Sequence, residues 1–448
     1  MRLQDLCFTF LMGTVLLFPA SALAQHKNLQ SGPMVGYTDM MEVLLWAQTK
    51  SEATVAFEYW EKTAPKNVFK TDFTRTEKGS GYTAKCIADK VLPGRDYQYR
   101  LLIDNKQVTL PYPTVFKTQT LWQWRTDPPA FSMATGSCAY TNDEPFDRPG
   151  KPYGSESQIF TAIHAKMPDV MLWLGDNVYL REVDWFTKTG MLYRYTQARS
   201  HPELQPLLAS TSHYAIWDDH DFGTNDSDGT FVHKEKAQEV FENFWGNPTF
   251  GLNNEGITTF FQYADVEYFL LDDRYFRTAN RCESCPERTM LGEKQLEWLK
   301  SALAASYAPF KIIACGGQVL TTNKAAETYI NLYPAERDSI LAHIEREDIK
   351  GVIFLTGDRH FSELSAMQNK RGNWVYDLTV SPLSAGAYTS AAETTNDHRV
   401  PGTLVAQHNF AMLNFSGPRK SREMKMELFD SNGIPLWTRT IGPDGALK

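Results

Sequence analysis

An apolar run of strand length, Val170-Met171-Leu172-Trp173-Leu174, stops at Gly175, and the next residue is the carboxylate Asp176. The pattern recurs late in the chain, where Val352-Ile353-Phe354-Leu355-Thr356 ends at Gly357-Asp358-Arg359-His360. A third run, Tyr214-Ala215-Ile216-Trp217, leads into Asp218-Asp219-His220-Asp221, and a fourth, from Ala130 to Thr135, closes on Gly136-Ser137-Cys138. Four ionisable residues in a row fit a solvated loop, but the apolar residues before Asp218 deliver that loop to a sheet edge. There, buried carboxylates persist only when paired with cations or metals. Cys138 taken alone reads as a small buried hydrophobe or a disulfide partner. What sets it apart is its place at the close of a strand, as Asp176 and Asp358 close others. Acids, imidazoles and a thiol gathered at one edge are the donor set of a metal site.

Such a gathering needs strands that share a direction. Unbroken apolar runs are the pattern of strands covered on both faces, and open α/β sheets place ligands beyond the carboxyl ends of their strands. Helical stretches at 155–166, 184–208, 234–245, 292–305 and 337–347 alternate with strand-like runs at 266–271, 311–314 and 375–380, the signature of βαβ units. After residue 380 the pattern becomes antiparallel, with strands at 409–415, 424–429 and 436–441 and a hairpin signal in Asp430-Ser431-Asn432-Gly433. The predicted class is α/β: two sheets packed together with helices outside. Ahead of this, residues 31–119 read as short strands (41–46, 54–60, 97–103 and 115–117) separated by turns, which suits an all-β sandwich. Residues 120–129, rich in tryptophan and proline, read as a linker.

The chain of 448 residues is too long for one core, so two domains are expected. A net charge of -8 without basic clustering argues against nucleic-acid binding. It does not exclude an anionic substrate, because a bound metal dominates its local field. Cys7 to Ala20 are mostly apolar and Ala22-Leu23-Ala24 gives a small-x-small cleavage pattern, which predicts a signal peptide removed before Gln25. No second stretch is long and apolar enough to span a bilayer, so an exported protein, periplasmic or secreted, is expected. Beyond the signal lie Cys86, Cys138, Cys282, Cys285 and Cys315, an odd set, with Cys282 and Cys285 read as a local loop-stabilising disulfide. A Gly-x-Ser-x-Gly elbow and a Gly-x-x-x-x-Gly-Lys loop are both missing, which disfavours serine-hydrolase and P-loop chemistry.

The four strand-end blocks, in this order behind a signal peptide and a β-domain, resemble the PhoD-like alkaline phosphatases, a branch of the calcineurin-like metallophosphoesterase superfamily. Leu92-Pro93-Gly94-Arg95-Asp96-Tyr97-Gln98-Tyr99-Arg100 is similar to the late turn and strand of fibronectin type III domains, whose tyrosine buttresses a sheet corner. The domain plan implied is a signal peptide over 1–24, a fibronectin-III-like domain with linker over 25–124, and a catalytic domain over 125–448. The resemblance further implies a ferric ion beside calcium. Cys138, Asp176, Tyr179 and His360 would serve iron, with Asp176 bridging, and Asp219 and Asp358 would add oxygen ligands of the kind calcium prefers. Thiolate and phenolate are donors that favour a ferric ion. His220 aligns with the superfamily's catalytic histidine, Asn177 is a candidate phosphate contact, and Asp218 supports Asp219. Arg274 is poised between phosphate and a salt bridge to Asp272, and Arg359 between phosphate and pointing away. The superfamily's mid-domain metal-binding histidine has no equivalent, and no carboxy-terminal lid helix is visible. The activity implied is hydrolysis of phosphomonoesters and phosphodiesters by attack of a metal-activated hydroxide. The alternatives are a diesterase dedicated to one substrate (a teichoic acid, phospholipid or nucleotide ester) and a non-catalytic binding protein whose β-domain serves adhesion.

Overall fold

The apolar runs become the centres of two sheets. In the computed structural model, which describes residues 26–285, 288–390 and 395–448, Phe131–Gly136, Val170–Leu174 and Ser212–Ile216 lie side by side and parallel within a nine-stranded sheet. The expected signal segment 1–24 lies outside the described residues. Val266–Leu270, Phe310–Ala314, Val352–Thr356 and Trp374–Thr379 are parallel within a six-stranded sheet. Every residue of Val170–Leu174 and of Val352–Thr356 is buried, as strands covered on both faces require. One hydrophobic cluster joins Leu172, Leu174 and Ile216 of the first sheet to Leu270, Ile312 and Leu355 of the second, so the sheets pack face to face. Helices Glu293–Ala305 and Pro334–Arg346 cover the far side of the second sheet through Leu299, Leu303, Ile340 and Ile344, which meet Ile313 and Phe354. The α/β two-sheet sandwich is as expected.

The antiparallel end forms as its turn signal predicts: Asp430 Oδ1 accepts from the amides of Asn432 (2.9 Å) and Ile434 (2.8 Å) between Glu423–Asp430 and Pro435–Ile441. The N-terminal region is all-β. Thr54–Glu61 pairs with Asp96–Ile103 from Val55↔Ile103 to Glu61↔Tyr97, and the Tyr97 hydroxyl accepts from the Leu92 amide at 2.8 Å, closing the corner. Two longer strands here were not legible in the sequence. Leu29–Thr38 and Thr83–Ala88 flank Val43–Thr49, and all three extend the nine-stranded sheet, with Val35 opposite Ser212 in parallel pairing. Gly32, Pro33 and Gly36 give the first of these strands a loop-like composition. Gly36 is instead a point of close approach, where a Cβ would stand 2.7 Å from the Leu44 side chain and 3.0 Å from the Gly246 carbonyl. Val35, Leu45, Phe57 and Tyr99 fill the space between this edge and the small sheet, so the two regions share a continuous sheet as well as a boundary.

Between the central strands sits a buried imidazole. Trp173 Nε1 donates to His213 Nδ1 at 3.0 Å, and His213 Nε2 lies 3.2 Å from the Leu207 carbonyl, an arrangement only the neutral ring satisfies. Burial pushes the imidazole down to about 3. The unfolded chain therefore takes up a proton, at the ordinary value near 6.5, that the native ring refuses. This stabilisation is complete above about pH 6.5 and declines toward pH 3, by up to roughly 1.4 kcal/mol per unit. His213→Gln, which can still accept from Trp173 and donate to Leu207, is expected to flatten the acid limb of stability between about pH 6 and 4 in urea titrations. An unchanged slope would show that other groups set that limb.

Candidate metal centre

The parallel strands bring their chemistry to one edge. Cys138, Asp176 and Asp219 follow the three adjacent strands of the large sheet, and Asp358 and His360 follow Val352–Thr356 of the facing one. Four of these residues hold a left-handed backbone: Cys138 at φ 59°, Asp176 at 52°, Asp358 at 65° and His360 at 55°. For residues with a Cβ this costs roughly 1–2 kcal/mol each and persists where the surroundings over-determine it, as functional sites do. The surroundings are visible. Cys138 N donates to Gly175 O (3.2 Å), Ala139 N to Asp176 O (2.8 Å), Gly357 N to Gly316 O (2.8 Å) and His360 N to Ser381 Oγ (3.0 Å). Gly357 has no room for a side chain, since a Cβ would stand 2.7 Å from Ser137 Oγ and 2.8 Å from Leu174 O, where the two edges meet.

One donor atom each from Cys138, Asp176 and His360 lies within 4.8 Å of the others, and the same holds for Asp176, Asp219 and His220. Asp176 is common to both groups. The Tyr179 hydroxyl stands 3.2 Å from His360 Nε2, and its ring lies 4.3 Å from that of His220. The imidazole of His360 is oriented from behind: Nδ1 is 2.6 Å from the Gly386 carbonyl and 3.2 Å from the Tyr153 hydroxyl, which leaves Nε2 as the nitrogen aimed at the site. Asp358 joins neither group. It is partly exposed, 3.9 Å from Arg359, and near enough to Asp219 and Glu327 that their charges add to burial in raising its carboxyl.

The electrostatics describe a site short of positive charge. Burial pushes the Cys138 thiol up to about 12 and lifts Asp176 and Tyr179 well above their ordinary values, with Asp219 next in raising Asp176 and Asp176 next in raising Tyr179. Asp219 alone runs the other way: burial raises it, but His220, Arg274 and the Asp226 amide together hold it far below the usual range. The buried Nδ1 of His220 has no hydrogen-bond partner. A cation among these donors would reverse the penalty on thiol, phenol and carboxylates and hold them deprotonated. The residues present fit metal ions. A third acidic grouping, Asp219, Asp226 and Glu327, differs, because Glu327 already holds Arg274 at 2.7 Å and Arg277 at 2.5 Å.

The remaining predicted residues support this edge. Asn177 donates its side-chain amide to Ile216 O (2.8 Å) and its backbone N–H to Asp221 (3.1 Å), tying the Asp176 turn to the neighbouring strand. The Asp218 side chain accepts from the Asp219 amide at 3.0 Å, fixing that turn, and pairs with Arg274. Arg274 is 1% exposed and fully engaged by Asp218, Glu327 and the Ser227 carbonyl, whereas Asp272 accepts from the Arg274 amide and from Trp217 Nε1. Arg359 is buried beside Asp358, its guanidinium 5.7 Å from the Phe361 ring. Arg274→Met is expected to cost about 3–5 kcal/mol of stability by stranding Asp218 and leaving Glu327 to Arg277, measurable by denaturant unfolding. Normal stability with a raised KM would instead put this arginine on the substrate. Cys282 and Cys285 form the expected disulfide, while Cys86, Cys138 and Cys315 are free and buried.

Sequence reading missed Ser381, whose hydroxyl lies 3.2 Å from Cys138 Sγ, as well as Tyr153 and Glu327. All three sit in irregular segments without a strand-end motif. Strand Phe310–Ala314 runs into Cys315-Gly316-Gly317.

Residues 134–418 match the family model for PhoD-like phosphatase, and residues 26–121 match a domain of unknown function (DUF7800). A curated relative, alkaline phosphatase D of Bacillus subtilis (strain 168), is 25% identical over 325 residues, or 61% of this chain and 52% of its own length. The chain thus spans about half the length of that relative. In fold it is similar to a solved structure of PhoD (TM-score 0.78, 16% identity, 94% of this chain and 92% of that one). It is also similar to purple acid phosphatase PPD1 from yellow lupin (Lupinus luteus) seeds (TM-score 0.66, 13% identity, 92% and 74%). With the family model matched over residues 134–418, more than half of the chain, the chain belongs to the PhoD-like phosphatase family.

Proposed function

We propose that this protein is an exported, metal-dependent phosphatase acting on phosphomonoesters and phosphodiesters, whose site would hold an iron ion and a calcium ion. The observation that carries this reading is that Asp176 belongs at once to the Cys138–His360 group, beside the Tyr179 phenol, and to the Asp219–His220 group. Cys138, Tyr179, His360 and Asp176 would hold iron, while Asp176, Asp219 and Asp358 would hold calcium. When bound, such cations supply Lewis-acid chemistry, activating water and neutralising charge on the phosphoryl oxygens.

The chain's own residues do the rest. His220 opens onto the cleft beside Tyr179, and its backbone N–H is 3.3 Å from Asp176 Oδ1, which places the imidazole to hold a proton for the departing alkoxide. Burial of Cys138 keeps water from the thiolate side. No described helix is long and apolar enough to cross a membrane. Metal analysis of the exported protein, read with its visible spectrum, tests the assignment: iron with a tyrosinate charge-transfer band colouring the protein purple is the expected result. Calcium chelation is expected to lower the rate at least about tenfold, restored on re-addition. An undiminished rate after thorough chelation would rule out calcium as the second metal. Parallel rates on a monoester and a diester separate a general phosphatase from a dedicated diesterase, and turnover of neither leaves only the binding-protein reading.

A further inference from the structure

We propose that the cleft beside Tyr179 and His220 is a leaving-group subsite selecting phosphate esters of flat aromatic alcohols that carry a further negative charge. This rests on the phosphatase reading above. The cleft encloses about 350 Å³, room for a substituted phenol or a nucleoside. Its floor is the edge of the candidate metal centre, its walls are Tyr140, Tyr153 and Trp185, and its rim carries Arg148 and Lys151.

The aromatic walls are built in advance. The Tyr140 and Tyr153 rings stand edge to face at 4.9 Å, and Tyr153, 44% exposed, reaches His360 with its hydroxyl. Arg181 lies 4.1 Å over the Tyr140 ring while it pairs with Asp147 at 2.7 Å and donates to the Thr141 carbonyl at 2.7 Å. Arg194 holds Asp143 at 3.0 Å, and Trp185 Nε1 donates to the Leu180 carbonyl at 3.1 Å. The 140–153 segment is therefore pinned against the loop that follows the Asp176 strand. Aromatic walls held in place beside the candidate metal centre are suited to contacting a planar group.

The charge at the rim is of a different kind. Arg181 and Arg194 spend theirs on Asp147 and Asp143, but the exposed Arg148 and Lys151 take part in none of the ion pairs among the described residues. The acids at the cleft are Asp147, already paired, and the exposed Glu182. The balance favours an anion at the rim.

Competitive inhibition of the metal-loaded full chain by phosphonates tests this free of leaving-group reactivity. With ethyl-, benzyl- and 4-carboxybenzylphosphonate, Ki is expected to fall about tenfold at the aromatic step and several-fold more at the carboxylate step. Trp185→Ala should erase the first gain and Trp185→Phe retain it, which separates stacking from loss of the loop. Arg148→Gln combined with Lys151→Gln should erase only the second gain, as should about 0.5 M salt. Equal Ki values for the three phosphonates, with ester hydrolysis intact, would overturn the subsite alone. An absence of both inhibition and hydrolysis would overturn the phosphatase reading beneath it.

Discussion

Asp176→Ala is expected to abolish metal binding and activity together, lowering turnover by on the order of 10³-fold or more while leaving the metal-free protein folded. The loss should be joint because Asp176 supplies a donor atom to both groups, one with Cys138 and His360 and one with Asp219 and His220. Stability should move the opposite way. In the metal-free chain Asp176 is a buried carboxyl raised first by burial and then by Asp219, Cys138, Asp218 and Asp221, so its removal relieves an unfavourable burial among other acids. The metal-free variant should unfold at an equal or higher temperature than metal-free wild type, and the order should invert once metal is added, because only wild type gains from binding. Cys138→Ala serves as the partial case, losing iron and the visible band while Asp219 and its neighbours remain. Full activity in Asp176→Ala would remove this residue from the site, and equal loss of stability with and without metal would make its role structural.

The parts of this arrangement that were legible in the sequence share one property: each is local. Val170–Leu174 and Val352–Thr356 announce themselves by five apolar residues followed by Gly-Asp, because a strand buried on both faces tolerates no polar side chain and a carboxylate after it must find a use. Cys138, Asp176, Asp219, His220 and His360 could be gathered for the same reason, and Tyr179 through the family resemblance that these blocks carry. Glu327 could not. It lies in an irregular stretch, and its meaning comes only from Arg274 and Arg277, some fifty residues earlier, whose charge it neutralises. Arg274 was read against Asp272 because the two are near in sequence, yet the backbone turns Asp272 toward Trp217 and sends the guanidinium to Asp218. Leu29–Thr38 was hidden for another reason: its glycines and proline mimic loop composition, while its partners Ser212 and Leu45 lie in other segments. Pairing between distant strands leaves no periodicity in either one.

His220→Ala is expected to slow turnover by about 10²–10⁴-fold with metal content unchanged, the range for losing one positioned proton donor. Geometry alone admits two roles. The imidazole shares a 4.8 Å grouping with Asp176 and Asp219, as a ligand would, yet it is only partly buried, has its ring 4.3 Å from that of Tyr179 and lines the cleft. The two roles differ in how the defect depends on the substrate. A proton donor matters most when the departing alkoxide is a strong base, so the variant's defect should be largest for alkyl phosphates and shrink toward wild type for 4-nitrophenyl phosphate. A ligand's removal would penalise both substrates alike and would appear as missing metal. The slope of rate against leaving-group pKa, steeper in His220→Ala than in wild type, therefore assigns the imidazole independently of the metal count.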